Sequence, residues 1–300
     1  MGKATRIKQR SARERIAAQR EAERRAEARR RLLITGGSVL AVIVIVVAFI
    51  VVKSLGSPPA VKAGGPTRTP LPAGVVKDIA NVPASTLATV GKGSTVPRSI
   101  IPLNGSPLTS GGKPEVLYIG AEYCPYCAAE RWAMAVALSR FGTFSGLHGI
   151  HSAGAPELFP NTPTLTFYKS SYSSRYLVFT PVETSTENRS TVLQKPTAAQ
   201  QALLGKYDAP PYVAQASAGA IPFIDLGNKY LISGASYSPQ VLAGKTWGEV
   251  ASALSDPATP VSQGAVGAAN MMTAALCKLT NNQPASACTP AVQRLEGQLR

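Results

Sequence analysis

The stretch Glu115–Arg140 reads EVLYIGAEYCPYCAAERWAMAVALSR, and the rest of the chain is interpreted from it. Residues 115–120 form a short apolar run that is typical of a buried strand. Residues 125–140 show a helical pattern that begins with a proline and ends before a glycine. The stretch therefore predicts a strand, a tight turn and a helix, with Cys124 and Cys127 at the first turn of that helix.

This position favours thiol chemistry. A thiol at a helix N-terminus faces unpaired backbone N–H groups and the positive end of the helix dipole, which stabilise its thiolate. Pro125 suits the first helical position because it has no N–H to leave unsatisfied. Cys127 follows one turn later, close enough to form a disulfide with Cys124. We therefore expect Cys124 to be a nucleophile and Cys127 to be the thiol that resolves a mixed disulfide.

The strand, the motif AEYCPYC and the helix resemble the thioredoxin superfamily, as does Ile221-Pro222 before the apolar run PFIDL. The resemblance implies a thioredoxin-like α/β fold with a cis-proline loop opposite the cysteines. It also implies that Ile221, Pro222 and Tyr126 bind the substrate, whose backbone would pair with the loop as an extra strand.

A closer similarity joins GAEYCPYCAAERWAMAVALSRFGTF with the later SGASYSP. Together these segments are similar to the membrane-anchored prokaryotic family known as domain of unknown function 929, over about residues 75–300. That similarity implies a fold and carries no established activity.

The chain departs from thioredoxins at the motif. Thioredoxins place a buried aspartate six residues before the first cysteine, where this chain has Tyr118, and Tyr123 stands where a tryptophan is usual. Glu122 is the nearest carboxylate, either assisting proton transfer or lying in solvent on the loop. The 94 residues between Cys127 and Pro222 exceed what a compact thioredoxin needs. We therefore expect an insertion at about 153–215 that shapes a substrate surface.

Three other interpretations of the motif compete with the redox interpretation. The two cysteines could form a redox-inert structural bond, or the fold could be a binding module without turnover. With His148 and His151 they also resemble a zinc pattern, Cys-x2-Cys-x20-His-x2-His. A strand is predicted over 147–152, and residues three apart on a strand point to opposite faces. No metal site is therefore predicted.

The other two cysteines, Cys277 and Cys288, flank the segment TNNQPASA between two predicted helices. In an oxidising compartment we expect them to form a structural disulfide that contributes about 2–3 kcal/mol. The alternative is a second redox pair that relays electrons to Cys124.

Charge and hydropathy divide the 300-residue chain unevenly. The formal net charge is +15, of which +8 lies in residues 1–31, with 12 basic and 4 acidic side chains. Residues 32–52 are 21 apolar or small residues without a charge, long enough for a helix of about 31 Å that spans a bilayer. A buried core helix or a cleaved signal peptide is the alternative, but signal peptides have shorter apolar regions.

The basic residues before this run predict a cytoplasmic N-terminus and an extracytoplasmic C-terminal part. Residues 1–31 are interpreted as a topology signal attracted to anionic lipid rather than as a nucleic-acid site. Residues 53–74 are rich in Pro and Gly and predict a linker. Residues 75–300 form the predicted extracytoplasmic domain, and 260–300 its helical C-terminal extension.

Local patterns complete the prediction. Strands are expected at 75–79 and 147–152, a β-ribbon at 164–168 with 175–180, and a hairpin at 222–226 with 229–233 around Gly227-Asn228. Helices are expected at 84–90, capped near Ser85, and at 197–207, 246–254, 263–279 and 290–299.

The sequence thus predicts a membrane-anchored, extracytoplasmic thiol–disulfide oxidoreductase that needs no cofactor and binds no nucleic acid. Its expected partners are exported protein thiols or disulfides, an unidentified redox partner and the lipid around the anchor. The alternative is a non-catalytic thioredoxin-like binding or assembly module in which Cys124 and Cys127 form a structural disulfide.

Overall fold

The computed structural model of the protein describes residues 68–299. The predicted basic tail (1–31), the predicted membrane helix (32–52) and residues 53–67 of the predicted linker lie outside this range. Within 68–299, no helix combines the length and the apolar character needed to cross a lipid bilayer.

The described residues form a mixed α/β structure. Its strands are β1 (Thr69–Pro70), β2 (Ile101–Pro102), β3 (Thr109–Ser110), β4 (Lys113–Gly120), β5 (Gly142–Ser145), β6 (His148–His151), β7 (Pro163–Thr166), β8 (Ser171–Ser174), β9 (Val178–Glu183), β10 (Phe223–Leu226) and β11 (Tyr230–Ser233). Its α-helices are α1 (Ala73–Ala80), α2 (Ala84–Val90), α3 (Pro125–Ser139), α4 (Ala198–Tyr207), α5 (Trp247–Ala253), α6 (Gly267–Leu279) and α7 (Pro290–Glu296).

The strand that precedes the cysteine motif, β4, lies in the middle of the largest sheet. One edge of β4 pairs with β10 in antiparallel orientation, and β10 continues to β11 and β2. The other edge pairs with β9 in parallel orientation, and the short β3 pairs with residues 113–114 at the start of β4. Residues 116–120 of β4 are buried, which explains why the sequence shows an unbroken apolar run there rather than alternation.

Helix α3 follows the motif and lies inside the molecule. All its residues from Cys127 to Leu138 are buried, including Glu130 and Arg131. A helix that is apolar on nearly every side needs cover on every side. α1, α6 and β7 pack against it and provide part of that cover. The N-terminus of α3, which carries Cys124, is therefore fixed by packing along the whole helix.

Two smaller sheets stand beside the central one. β1, β6 and β7 form one, and β5 pairs with β8 to form the other. The predicted β-ribbon of 164–168 with 175–180 is wrong, because β7 pairs with β6 and β9 pairs with β4. The predicted insertion at 153–215 also needs revision, since it contains β9, a strand of the central sheet.

The largest error in local structure concerns residues 75–79. They were expected to form a strand, yet they lie in α1, which begins after Pro72 and buries Val75 and Ile79 on one face. The predicted linker also ends earlier than residue 74, because Thr69 and Pro70 pair with β6 and Leu71 is buried.

Several other elements agree with the prediction. The hairpin of β10 and β11 turns at Gly227 and Asn228, both of which have positive φ. Helix α2 has the expected range, although Pro83 rather than Ser85 precedes its first residue. The expected helix 263–279 is α6 preceded by one π-helical turn, Ser262–Val266. The disulfide between Cys277 and Cys288 is present, with Cα atoms 5.6 Å apart.

Candidate functional site

The two motif thiols lie at the N-terminus of α3, beyond the C-terminal end of β4. Cys124 is the N-cap residue, and its Sγ accepts a hydrogen bond of 3.3 Å from the N–H of Cys127. Pro125 occupies the first helical position, as the sequence predicts. Both cysteines are free thiols; Cys124 is 5% exposed and Cys127 is completely buried. Access from solvent therefore favours Cys124 as the reacting sulfur.

The pKa values of the two thiols shift in opposite directions, and this also favours Cys124 as the reacting sulfur. A hydrogen bond from the Cys127 side chain and one from its backbone N–H favour the thiolate of Cys124, and the pKa of Cys124 is lowered although burial opposes this. Burial and the neighbouring Cys124 raise the pKa of Cys127 well above its usual range. The surroundings thus favour the reactive thiolate at Cys124 and the protonated thiol at Cys127.

The segment before β10 lies against Cys124. The Cys124 thiol donates a hydrogen bond of 3.5 Å to the carbonyl oxygen of Ile221. The Ile221–Pro222 peptide bond is cis, and the carbonyl oxygen of Pro222 accepts a hydrogen bond from Gly234 at 2.9 Å. The structure thus brings Ile221 and Pro222 next to the motif, across 97 positions of sequence.

Tyr126, the third predicted substrate contact, lies between the two cysteines in sequence. It is 39% exposed, and its ring meets that of Phe159 edge-on at 5.9 Å. Tyr123 lies on the other side of Cys124, beneath the guanidinium of Arg189 at 4.1 Å. Aromatic side chains therefore flank the nucleophile on both sides in sequence.

Sequence reasoning missed a buried ion pair behind the motif. Arg131, one turn after Cys127 in α3, donates to both carboxylate oxygens of Glu183 in β9, at 2.8 and 2.7 Å. Its Nη2 also donates to the carbonyl oxygen of Ala121 at 2.7 Å, which accepts the N–H of Cys124 as well. Both side chains of the pair are fully buried. The positive charge of Arg131 lowers the pKa of Cys124 and opposes the raised pKa of Cys127.

Glu122 is buried rather than solvated. Arg68 donates to its two carboxylate oxygens at 2.9 Å each, and the hydroxyl of Thr166 donates to one of them at 2.7 Å. The expectation of a solvated loop residue is therefore wrong. The ion pair instead connects the motif loop to the start of the described chain.

Tyr118 occupies the position where thioredoxins have aspartate. Its side chain is completely buried, its hydroxyl has no hydrogen-bond partner within residues 68–299, and burial raises its pKa well above the usual range. The hydroxyl lies over Gly120, where a Cβ would collide with it, so the glycine makes room for the ring. Tyr118 stays protonated and is no carboxylate substitute.

A second buried carboxyl group, Glu130, was also missed. It lies in α3 and accepts two hydrogen bonds of 2.8 Å from Ser236, one from the backbone N–H and one from the hydroxyl. The adjacent Tyr237 donates to the carbonyl oxygen of Ala129 at 2.6 Å. Burial raises the pKa of Glu130 to about 7. The segment SGASYSP therefore docks on α3 through Ser236 and Tyr237.

The two histidines do not converge. His148 Nδ1 lies 2.9 Å from the carbonyl oxygen of Gly146, while the ring of His151 lies 5.2 Å from that of Trp247. Among residues 68–299, no group of three or more His, Cys, Asp or Glu side chains is arranged to hold a metal ion.

Comparison with known proteins finds one protein family that matches this chain. Residues 100–278 match the family described as domain of unknown function (DUF929). Searches of curated proteins and of solved structures return no match. The matched range includes β4, the two motif cysteines, α3 and the Ile221–Pro222 segment, and it covers more than half of the chain. The chain therefore belongs to the DUF929 family.

Proposed function

We propose that this protein is a membrane-anchored, extracytoplasmic thiol–disulfide oxidoreductase with a thioredoxin-like fold. One observation carries the proposal: the Cys124 sulfur lies at a helix N-terminus, between the N–H of Cys127 and the carbonyl oxygen of Ile221. The first contact favours the thiolate of Cys124. The second places a backbone hydrogen-bond acceptor, the Ile221 carbonyl oxygen, beside the position that a substrate sulfur would occupy. The resemblance to thioredoxins, which implies a proline loop opposite the cysteines, supports the same conclusion.

The reaction needs only the two thiols and a substrate disulfide. The Cys124 thiolate attacks one substrate sulfur, the substrate S–S bond breaks, and the departing thiolate takes up a proton. Cys127 then loses its proton and attacks the Cys124 sulfur of the mixed disulfide. The S–S bond to the substrate breaks, and the second substrate thiolate takes up a proton. The products are a disulfide between Cys124 and Cys127 and a substrate dithiol, with two electrons transferred to the substrate. Run in reverse, the same steps oxidise a substrate dithiol.

Substrate binding is assigned to the Ile221–Pro222 segment and to Tyr126. The Pro222 carbonyl is already hydrogen-bonded to Gly234, so the Ile221 carbonyl is the backbone group directed at the sulfur. A protein substrate in extended conformation would pair with this segment as an added strand. The partly exposed ring of Tyr126 would cover the substrate residue next to the reacting cysteine.

The proposed location rests on the sequence. The uncharged run 32–52 and the basic residues before it support a single membrane helix with a cytoplasmic N-terminus. Every cysteine of the chain follows this run, and a disulfide between Cys277 and Cys288 suits an oxidising compartment. The proposed partners are therefore exported proteins, together with a redox partner that regenerates the motif.

The test is disulfide exchange by the purified full-length chain with a model protein disulfide. We expect Cys124→Ser to abolish exchange and Cys127→Ser to accumulate a mixed disulfide with the substrate, because the resolving thiol is missing. The matched control is Cys277→Ser/Cys288→Ser, which removes the other cysteine pair and should retain exchange. Loss of exchange in a folded control variant would instead assign the relay to the second pair.

The burial of both motif sulfurs favours the alternative of a non-catalytic binding module, since only 5% of Cys124 is exposed. The two functions predict different outcomes for the same variants. A structural motif would resist reduction by a mild dithiol, and Cys127→Ser would trap no partner from the cell envelope. Both results together would reject the oxidoreductase proposal.

A further inference from the structure

A large cavity lies at the end of the central sheet away from the cysteine motif. Lys113 and Pro114, at the N-terminal end of β4, line it, whereas the motif follows the C-terminal end of the same strand. Its volume is about 810 Å³, within the range of small-molecule sites in proteins. No residue of the proposed redox site lines it, so whatever it binds is independent of the thiol chemistry.

The charged side chains around the cavity are all cationic. They are Lys113, Arg175, Lys229 and Lys278, and among the described residues no carboxylate lines it. Two of them are held in place, since Lys113 Nζ donates to the carbonyl oxygen of Ser174 at 2.9 Å and Lys229 Nζ to that of Gly105 at 2.8 Å. Arg175 and Lys278 are exposed at the rim. A bound anion would therefore meet a cluster of positive charge in the lining, and Glu296, which acts on the Tyr230 side chain, lies outside that lining.

The rest of the lining is mostly apolar. It includes the side chains Leu103, Leu108, Tyr176, Tyr230, Leu279 and Leu299. Leu103 and Tyr230 are buried and belong to the walls, which makes the shape of the cavity part of the folded structure. An inorganic anion alone would leave this apolar surface in contact with water, whereas a ligand with an apolar body would bury it, which is favourable.

We propose that this cavity binds an amphiphilic anion, a molecule with an acyl chain or aromatic body that ends in a carboxylate or phosphate. The apolar body would lie against the leucine and tyrosine side chains, and the acidic group would lie among the four cations. Charge complementarity selects this class over neutral lipids, and the apolar walls select it over free phosphate.

The disulfide gives one wall of the cavity its position. Lys278, Leu279, Thr280, Asn281 and Gln283 line the cavity, and all lie in the loop that Cys277 and Cys288 close. A closed loop has fewer conformations available than an open one. The disulfide therefore restricts Thr280, Asn281 and Gln283, while Lys278 and Leu279 are held by the last turn of α6.

Photo-crosslinking tests the proposal directly. The full-length chain is incubated in phosphatidylcholine nanodiscs with a diazirine-bearing palmitate, irradiated, digested, and mapped by mass spectrometry. We expect labelled peptides from 102–114, 175–176 and 278–283. We expect oleate and lysophosphatidate to compete, whereas oleyl alcohol and inorganic phosphate at the same concentration should not. The stronger of the two competing anions identifies carboxylate or phosphate as the preferred group.

The variant is Arg175→Glu/Lys278→Glu, which reverses the two exposed rim charges. It should lose at least tenfold in labelling at these peptides while its melting temperature without ligand stays unchanged. The matched control, Lys195→Glu/Lys206→Glu, makes the same charge change at exposed positions away from the cavity and should label like the native chain. Equal labelling of the two variants would overturn the proposal. So would competition by oleyl alcohol or by inorganic phosphate that is as strong as competition by oleate. Disulfide exchange is unaffected in either outcome.

Discussion

Glu130 and Arg131 are neighbours in α3, and their buried charges are stabilised in different ways. Arg131 has a counter-charge in Glu183, whereas Glu130 has only the two neutral donors of Ser236. Burial without a cation disfavours the ionised carboxyl group. With a pKa of about 7, Glu130 changes charge near neutral pH.

Glu130→Gln should therefore remove a pH dependence of stability. The pKa of Glu130 is about 7 in the folded chain and about 4.3 when unfolded, so the folded state favours the protonated form. Its stabilising effect is complete below about pH 4 and is lost as the pH rises through about 7. Relative to the native chain, the variant should gain on the order of 3 kcal/mol in free energy of unfolding between pH 4 and pH 8. Urea titrations at a series of pH values measure this.

Ser236→Ala serves as the second variant. The Ser236 hydroxyl and N–H favour the ionised carboxyl group, so removing the hydroxyl should raise the pKa of Glu130 above 7 and extend the loss of stability to higher pH. An unchanged pH profile in both variants would mean that Glu130 is not the titrating group.

Arg131→Met should change both stability and thiol reactivity. Removing one partner of a buried ion pair leaves Glu183 unpaired, at a typical cost of about 3–5 kcal/mol. The lost positive charge should also raise the pKa of Cys124, because Arg131 favours its thiolate. The rate of alkylation by iodoacetamide as a function of pH measures the second effect.

Arg140→Met provides the control, since Arg140 caps the other end of the same helix and donates to Thr273 and Asn270. It should destabilise the fold and leave the alkylation profile of Cys124 unchanged. If Arg131→Met also leaves that profile unchanged, Arg131 acts only in packing.

At the scale of single residues, the sequence was most informative where the signal is local. The positions of Cys124, Pro125 and Cys127 follow from their spacing at a strand-to-helix junction. The pairing of Arg131 with Glu183, 52 positions away, has no local signal. Glu122 was misjudged for the same reason, since its partner Arg68 lies 54 positions earlier.

At the scale of elements, residues 75–79 show how one pattern fits two structures. Val75, Val76 and Ile79 are β-branched and favour a strand. Val75 and Ile79 are also four residues apart, which places them on one face of a helix. Packing of that face against the core decides in favour of α1, and such packing is not visible in a five-residue window.

Strand pairing was also beyond local reasoning. The hairpin of β10 and β11 was predictable because its two strands are joined by only three residues, which include Gly227-Asn228. β9 pairs with β4 across more than 50 residues, and β7 pairs with β6 rather than with its successor. Such partners depend on the burial of whole faces, so six of the strands were recognisable (β4, β6, β7, β9, β10 and β11) while their pairing beyond the hairpin was not.

Gly267 at the start of α6 allows a close contact between elements. A Cβ there would collide with the carbonyl oxygen of Lys92 and crowd the Cα of Gly93. Gly267→Ala should therefore destabilise the chain by about 1–3 kcal/mol. Gly205→Ala in α4 is the control, because nothing lies within 4 Å of its added Cβ and alanine favours helix. It should stabilise by about 0.5–1 kcal/mol, as denaturant titration would measure.

At the scale of the whole molecule, the boundaries that charge and hydropathy place at residues 31 and 52 lie outside the described residues and stay predictions. The mixed α/β class of residues 68–299 was predictable from the sequence, and so was the Cys277–Cys288 pair. The pairing of Thr69 and Pro70 with β6 was not, because a Pro-rich segment such as residues 69–72 can also pack on a sheet edge.

The Cys277–Cys288 disulfide should contribute to the stability of the whole domain. Closing a loop of this length stabilises by about 3 kcal/mol through the unfolded chain. Cys277→Ser/Cys288→Ser should therefore lower the melting temperature by about 6–12 °C. In chains whose Cys124 and Cys127 are already reduced, full reduction should lower it in the native chain and leave this variant unchanged, as calorimetry would measure. A native chain insensitive to full reduction would contradict the prediction.

The enclosure of α3 has one more consequence. Amide protons of a helix that is buried from Cys127 to Leu138 can exchange with solvent only when the domain opens as a whole. Their exchange rates therefore report the free energy of global opening. Comparing these rates in the dithiol and disulfide states of Cys124 and Cys127 closes a thermodynamic cycle. If oxidation slows exchange, the free energy of global opening has risen. By linkage, folding then favours the Cys124–Cys127 disulfide over the dithiol by the same free energy.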